Sequence, residues 1–100
     1  IINTTYSLRY DLNSKLLYSD APCLPSSSAL TFVSISTKDG NINTINNSDF
    51  TPTCSNNKLA ILYSGTESLE DVNLHFSSKY TDANGHQIYN DYIYHSPINL

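Results

Sequence analysis

The longest stretch of alternating apolar and polar residues runs from Asp71 to His95 and is interrupted at Asn84-Gly85. Alternation with a period of two predicts β-strands. Asn-Gly between two such runs predicts a hairpin with a two-residue type I′ turn, because both central residues need positive φ. This turn sets Phe76 against Ile93. A four-residue loop over 82–85 would keep the same faces, whereas a three-residue loop would set opposite faces against each other, so the pattern disfavours it.

The two faces of this predicted hairpin differ in character. One is mostly apolar and carries Val72, Leu74, Phe76, Tyr80, Tyr89 and Ile93. The other is polar with aromatic side chains and carries Asn73, His75, Ser77, Lys79, Ile88, Asn90, Tyr92 and Tyr94. Tyrosines are enriched in protein-recognition patches, so we take His75, Ile88, Tyr92 and Tyr94 as candidate binding residues. The alternative is that a second layer of the fold covers this face and makes these residues part of the core.

Three other segments also predict strands. Thr4 to Ser19 alternates and predicts a hairpin that turns at Asn13-Ser14, with a short helix over Asn13 to Tyr18 as the alternative. Ala29 to Thr37 carries apolar residues on both faces, which predicts a central strand. Lys58 to Ser64 is the most apolar segment and predicts the innermost strand.

The segments between these strands contain residues that favour turns and loops. Prolines and serines predict a loop over Asp20 to Ser28. Lys38 to Asn57 predicts a long irregular stretch, with room for a short edge strand over Asn41 to Asn47. Thr66 to Asp71 predicts one helical turn with acidic residues near its start. Ser96-Pro97 ends the last strand, because proline cannot donate to a ladder.

The cysteines indicate both a cross-link and a compartment. Cys23 and Cys54 are the only two, and both fall in predicted loops. An even number in a small β-rich chain favours one disulfide and an oxidising environment. The length of 100 residues predicts one domain over 1–100. The fold class is therefore mainly β: a small antiparallel barrel or sandwich of five to seven strands, with or without one short helix, held by Cys23–Cys54.

Charge and hydropathy exclude several classes of protein. The net charge is −4, and the five basic residues are dispersed, so the chain has no basic surface on which to hold nucleic acid. No apolar run approaches the ~20 residues that span a bilayer. The chain begins at Ile1 without Met or a signal peptide, which we interpret as a mature protein or a fragment of a longer, membrane-anchored one.

Candidate chemistry is sparse. His75, His86 and His95 do not converge in the predicted register, so we expect no metal site, although they could make the hairpin respond to pH. The chain has no G-x-S-x-G, no phosphate-binding glycine loop and no facing pair of carboxylates. We therefore predict a protein without a cofactor that is not an enzyme. Asn3-Thr4-Thr5 and Asn46-Asn47-Ser48 match the N-glycosylation acceptor pattern.

These observations favour a non-enzymatic extracytoplasmic module that binds a protein or acts as a sensor, located in the periplasm, in secretions or on the cell surface. It would bind a protein partner or a second copy of itself through the tyrosine-bearing hairpin face or a strand edge. A small apolar ligand or a glycan is a further possible ligand. One alternative is an adhesin or a structural subunit of a pilus-like or lectin-like surface assembly. Another is the periplasmic domain of a membrane-anchored regulator that responds to pH or to a small apolar ligand.

Overall fold

A computed structural model of the chain describes residues 2–25, 30–37, 47–66, 69 and 72–95. In this part of the chain the strands are β1 (Ile2–Asp11), β2 (Leu16–Pro22), β3 (Leu30–Thr37), β4 (Phe50–Ser55), β5 (Lys58–Tyr63), β6 (Val72–Thr81) and β7 (Gln87–His95). A 3₁₀ helix, Asn47–Asp49, precedes β4. The seven strands form one sheet in the order β3-β6-β7-β1-β2-β5-β4. The prediction of a mainly β fold with five to seven strands is confirmed.

The sheet contains both parallel and antiparallel pairs and is curled. The curl occurs at β1, which pairs with β7 on one side and with β2 on the other. Residues 2–8 of β1 pair in parallel with β7. Residues 9–11 pair antiparallel with β2. A strand that passes from one ladder to another along its length bends the sheet, so that its two halves face each other. The parallel pair was not predicted, because a pattern of alternation shows which residues share a face and not which strands are neighbours.

The core lies between the two facing halves of the curled sheet. The Tyr10 ring on β1 lies 6.5 Å from that of Tyr63 on one half and 6.4 Å from that of Tyr94 on the other, centroid to centroid. The edge strands approach each other where Phe32 stacks on Phe50, with ring centroids 5.8 Å apart. The buried hydrophobic residues include Leu8, Leu17, Phe50, Leu59, Ile61, Tyr63, Leu74, Phe76, Tyr92 and Tyr94. Burial of aliphatic and aromatic side chains from both halves therefore holds the curl closed.

The first hairpin forms as predicted, and the alternative helix does not. Asp11 on β1 pairs with Leu16 on β2, and the Asp11 carboxylate accepts hydrogen bonds from the Asn13 N–H and the Ser14 hydroxyl. β2 then continues to Pro22, opposite Lys58 of β5. The prediction of a loop from Asp20 was wrong at its start, because a register shift after Tyr18 lets the strand continue to its proline.

A tight hairpin joins β4 to β5 inside the stretch that we predicted to be irregular. Ser55 pairs with Lys58 across Asn56-Asn57. Both asparagines have positive φ, 52° and 64°. These values fit a type I′ turn, and asparagine tolerates them better than most residues. The irregular prediction was therefore wrong for β4, where Pro52 is accommodated on an edge strand.

The strand predicted to be central is an edge strand. β3 pairs with β6 alone among the described strands. Phe32 lies opposite Phe76, but Ser34 lies opposite His75, so Val33 is an extra residue in a β-bulge. Its side chain is 49 % exposed. The apolar residues on both faces that indicated a central strand therefore reflect the bulge and not burial on two sides.

The segment predicted to be innermost forms β5, whose Leu59, Ala60, Ile61 and Tyr63 are all buried. In the sheet, however, β5 lies between β2 and the edge strand β4. Its burial comes from its place under the curl and not from a central position in the strand order.

The disulfide prediction is confirmed. Cys23 and Cys54 are bonded, with their Cα atoms 5.5 Å apart. The bridge ties the residue after β2 to β4 across 31 positions of sequence. Closing a loop of this size restricts the unfolded chain and stabilises the fold by roughly 3–4 kcal/mol.

The hairpin of β6 and β7 forms, but its turn and register differ from the prediction. Thr81 pairs with Gln87 and Phe76 with Tyr92. The Gly85 N–H donates to the Asp82 carbonyl at 3.1 Å, and the Asp82 N–H donates to the His86 carbonyl at 2.9 Å. Gly85 has φ 82°. This is a three-residue loop, a type I turn followed by glycine in the left-handed region.

The Asp82 side chain explains why this loop forms in preference to a type I′ turn. Its carboxylate accepts hydrogen bonds from the backbone N–H groups of Asn84, at 2.9 Å, and His86, at 2.8 Å. These bonds, led by that from His86, hold the pKa of Asp82 below its ordinary value of 3.8. A two-residue turn would not place both amides around this carboxylate. The prediction that disfavoured a three-residue loop is therefore wrong.

Three predictions fall largely outside the described residues. They are the edge strand over Asn41 to Asn47, the helical turn over Thr66 to Asp71, and the strand end at Ser96-Pro97.

Substitution in the β6–β7 turn separates the two possible turn types. Gly85→Ala should lower the free energy of unfolding by about 1–2 kcal/mol, because a Cβ is strained at this φ, although open space surrounds the position. Asn84→Ala should change it by less than ~0.5 kcal/mol, because Asn84 does not have positive φ. Urea unfolding of both variants measures the difference. Comparable losses for the two variants would instead indicate a type I′ turn, in which both residues have positive φ.

The Asp82 carboxylate should make stability depend on acid pH. Its folded pKa lies below 3.8. The stabilisation is therefore fully present above the unfolded pKa of about 3.8–3.9, and it is lost as pH falls through the lower folded value. Asp82→Asn keeps an acceptor without the charge, so it should lower the melting temperature at neutral pH and flatten the fall below pH ~4. Thermal unfolding of both proteins across acid pH tests this, and parallel curves would contradict it.

Candidate functional site

The observed register decides which hairpin side chains are buried. Because directly opposed residues share a face, Phe76 and Ser78 of β6 lie on the same face as Tyr92 and Asn90 of β7. This face points into the curl. Ile88 is 9 % exposed, Tyr92 0 % and Tyr94 3 %. The prediction that these three side chains lie on an exposed face with His75 is wrong. The facing half of the sheet covers them, as in the alternative interpretation.

Tyr92 forms a buried polar cluster. Its hydroxyl lies 3.0 Å from the Ser78 hydroxyl and accepts a hydrogen bond from the Asn90 side-chain amide at 3.2 Å. Its ring stacks on Tyr6, with centroids 5.8 Å apart. Burial raises the pKa of Tyr92 above its ordinary value, so the hydroxyl stays neutral at physiological pH. These bonds satisfy polar groups in the core, and they explain how Ser78 and Asn90 are tolerated there.

The opposite face of the same strands is polar and partly exposed to solvent. We call it the outer face, and on β6 and β7 it carries Asn73, His75, Ser77, Lys79, Tyr89, Asp91, Ile93 and His95. Asn3, Thr5 and Ser7 of β1 extend it on one side, opposite Tyr89, Asp91 and Ile93. Thr31 of β3 extends it on the other side, opposite Ser77. The outer face therefore spans β3, β6, β7 and β1.

An open cleft of about 730 Å³ lies on the outer face. The residues around it are Asn3, Thr31, Ser77, Ser78, Lys79, Tyr89, Asn90 and Asp91. Ser78 and Asn90 have inward side chains, so they contribute mainly backbone to its floor. The walls offer hydroxyl, amide, ammonium and carboxylate groups beside one half-buried tyrosine ring.

Two side-chain contacts position residues in the cleft and beside it. The Nζ atom of Lys79 lies 5.4 Å from the centroid of the Tyr89 ring, and the Tyr89 hydroxyl donates to Gln87 Oε1 at 2.9 Å. The Nε2 atom of His75 lies 3.2 Å from Asp91 Oδ1, with these side chains 33 % and 35 % exposed. Contacts of this kind at half-exposed sites contribute modestly to stability. Their main effect is to hold each side chain in a defined position.

The histidines lie differently from the prediction. Since Asn73 pairs with His95, both His75 and His95 belong to the outer face and not to opposite faces. His86 lies at the turn, with Nδ1 3.6 Å from Asp82 Oδ2. Among the described residues, no group of three His, Cys, Asp or Glu side chains is placed to hold a metal ion.

A smaller cavity of about 230 Å³ lies against the disulfide. Two prolines, Pro25 and Pro52, line it together with Leu24 and Leu59. Its lining is mainly apolar and it holds no cluster of polar groups, so it has less capacity for specific recognition than the outer-face cleft.

Of the four candidate binding residues only His75 lies on the outer face. The predicted polar face also correctly grouped Asn73, Ser77 and Lys79 with His75, but it left out Tyr89 and Asp91. Lys79 and Tyr89 were assigned to opposite faces of the hairpin, although they are direct neighbours across the strands. The signal that could have found them was Asp82, a strong acceptor placed to cap a three-residue turn. Asn3 and Thr31 join the cleft through strand pairings that no local pattern encodes.

Comparisons with protein-family models, with curated proteins and with solved structures found no match to this chain. No helix in the described ranges is long and apolar enough to cross a membrane.

Removing the hydroxyl oxygen of Tyr92 tests whether this side chain lies in the core. Tyr92→Phe should lower the free energy of unfolding by about 1–2 kcal/mol, because it leaves Ser78 and Asn90 without their shared partner. Tyr89→Phe is the matched control, since it removes a hydroxyl bonded only to an exposed glutamine, and it should cost under ~0.5 kcal/mol. Chemical denaturation measures both. Equal losses would contradict the assignment of Tyr92 to the core.

Proposed function

We propose that this chain is a non-enzymatic extracytoplasmic module that binds a protein partner on the outer face of its β6–β7 hairpin. The observation that carries the proposal is the cleft, where Tyr89 lies directly opposite Lys79 and two residues from Asp91 on its own strand. Tyrosine brings contact area and a hydroxyl together at low conformational cost, which is why it is favoured at interfaces. The proposal keeps the predicted binding through a tyrosine-bearing hairpin face, but the tyrosine is Tyr89 and not Tyr92 or Tyr94.

The construction of the cleft supports binding. Its side chains come from β-strands and not from loops, and the Lys79–Tyr89 and His75–Asp91 contacts restrict their rotamers. Groups that are ordered before binding lose less entropy when a partner arrives. The face carries one positive group, Lys79, and one negative group, Asp91, which favours a partner with complementary charges.

The disulfide supports the proposed location. Cys23–Cys54 is formed, and such bonds persist in oxidising compartments such as the periplasm or the extracellular space. The adhesin or surface-subunit function and the membrane-anchored regulator remain alternatives. For the regulator, the relevant feature is the His75–Asp91 contact, which places an imidazole beside a carboxylate on the binding face.

Partner binding should depend on the outer face. We expect affinity capture from the periplasmic or secreted fraction of the source, with quantitative mass spectrometry, to recover a protein partner with the native chain. Tyr89→Ala and Asp91→Ala should each reduce its recovery at least tenfold, because each removes a central contact of the cleft. Thr51→Ala, exposed on β4, is the matched control and should bind as the native chain does.

Three outcomes separate the alternatives. A partner retained equally by Tyr89→Ala, Asp91→Ala and Thr51→Ala would contradict the outer face as the binding site. Binding to a glycan array that Tyr89→Ala abolishes would assign the chain to the lectin-like alternative. Capture that changes between pH 7.5 and pH 5.5, and no longer does so in His75→Gln, would favour the pH-responsive regulator.

A further inference from the structure

The outer edge of β3 presents a row of backbone groups that can be identified from the ladder. Asp82 and His86 form a directly hydrogen-bonded pair at the hairpin turn. Pairs in an antiparallel ladder alternate between bonded and non-bonded, so Asn73, His75 and Ser77 of β6 direct their backbone groups to β3. Their partners on β3 are Ser36, Ser34 and Thr31. Val33 is the bulge residue. The other residues of β3 therefore direct their N–H and C=O groups away from the sheet: Leu30, Phe32, Ile35 and Thr37.

The other edge of the sheet lacks a continuous row. The Ser64 N–H donates to the Asp49 carbonyl at 2.8 Å, so Asp49 and Ser64 form a hydrogen-bonded pair. Bonded and non-bonded pairs then alternate along β4 and β5 from this point. Phe50, Pro52 and Cys54 of β4 are then the residues whose backbone groups face outward. Pro52 has no N–H, so this edge cannot form an uninterrupted ladder with another strand. In the described part of the chain, no strand pairs with either outer edge.

Two features of β3 favour a second copy of this chain as the occupant of its edge. The outward residues 30, 32, 35 and 37 are separated by two, three and two positions, because the bulge at Val33 adds one residue in the middle. This spacing reads the same from either end of the strand. An antiparallel second copy of β3 therefore presents its outward residues at the same intervals, and the two bulges lie next to each other. β3 also carries no charged residue, although the chain has a net charge of −4. Two copies can therefore meet here without like charges directly opposed.

We propose that β3 pairs antiparallel with β3 of a second copy to form a closed two-fold dimer. Leu30 lies opposite Thr37 of the second copy, and Phe32 lies opposite its Ile35. The two Val33 side chains meet near the axis. The interface is isologous, and the Pro52 edge cannot pair onward, so assembly stops at two copies and does not continue into a fibre. Thr31 borders the outer-face cleft, so the dimer brings two clefts side by side, although dimer formation does not depend on what the clefts bind.

The test measures two properties of the full chain: the mass of the particle in solution and the protection of its backbone amides from hydrogen exchange. Sedimentation velocity from micromolar to millimolar concentration should show the mass rising to twice that of the monomer and no further. Hydrogen exchange followed by NMR should show protection at the Phe32 and Ile35 amides that increases with concentration, while the Phe50 and Cys54 amides do not change. Val33→Lys places two like charges at the axis and should abolish the dimer. Thr53→Lys, which adds the same charge at an exposed site on β4, should leave it intact.

Circular dichroism shows that each variant is folded, and Val33→Thr, an uncharged variant that keeps the β-branch, should dimerise as the native chain does. A chain that stays monomeric at millimolar concentration overturns the proposal. So does a dimer that survives Val33→Lys, or one that Thr53→Lys disrupts equally. Mass that grows beyond two copies would show that the edges pair head to tail.

Discussion

The pairing register of β6 and β7 is the constraint on which the other features of this protein depend. The Asp82 carboxylate accepts two backbone amides of the turn, and Gly85 supplies the positive φ that a three-residue loop needs. A shift of one residue would turn every side chain of β7 to the other face. With the observed register, Tyr92 and Tyr94 enter the core and Tyr89 and Asp91 remain on the outer face.

The core in turn depends on the curl of the sheet. A single flat sheet would leave one face of each strand in water. Here β1 pairs with β7 along most of its length and with β2 at its end, which folds one half of the sheet over the other. Tyr10 contacts both halves, and Phe32 and Phe50 bring the edge strands together. The disulfide adds a covalent tie between the end of β2 and β4. Within the described residues, no α-helix packs on the sheet, and the curl itself encloses the core.

The same geometry determines what the surface offers. Curling leaves the outer face of β3, β6, β7 and β1 polar and open, with its charged groups paired to neighbours. It also leaves two strand edges that differ in chemistry, since β4 contains a proline without an N–H, whereas every residue of β3 has one. A binding face and a pairing edge that are both built on β3 would allow a module of this size to present two binding sites together.

The sequence by itself determined every described strand except β4, the disulfide and the class of the fold. Alternation marked both hairpins, and the even cysteine count predicted Cys23–Cys54, because these signals are local or depend on composition. The register, the place of β3 at an edge and the parallel pairing of the chain's first and last described strands were decided only by the tertiary structure. On β7 both faces carry aromatic residues, so hydrophobicity alone does not choose between them. A side-chain hydrogen bond in the turn and the burial available under the curl made that choice, and with it they fixed which tyrosine is available for binding.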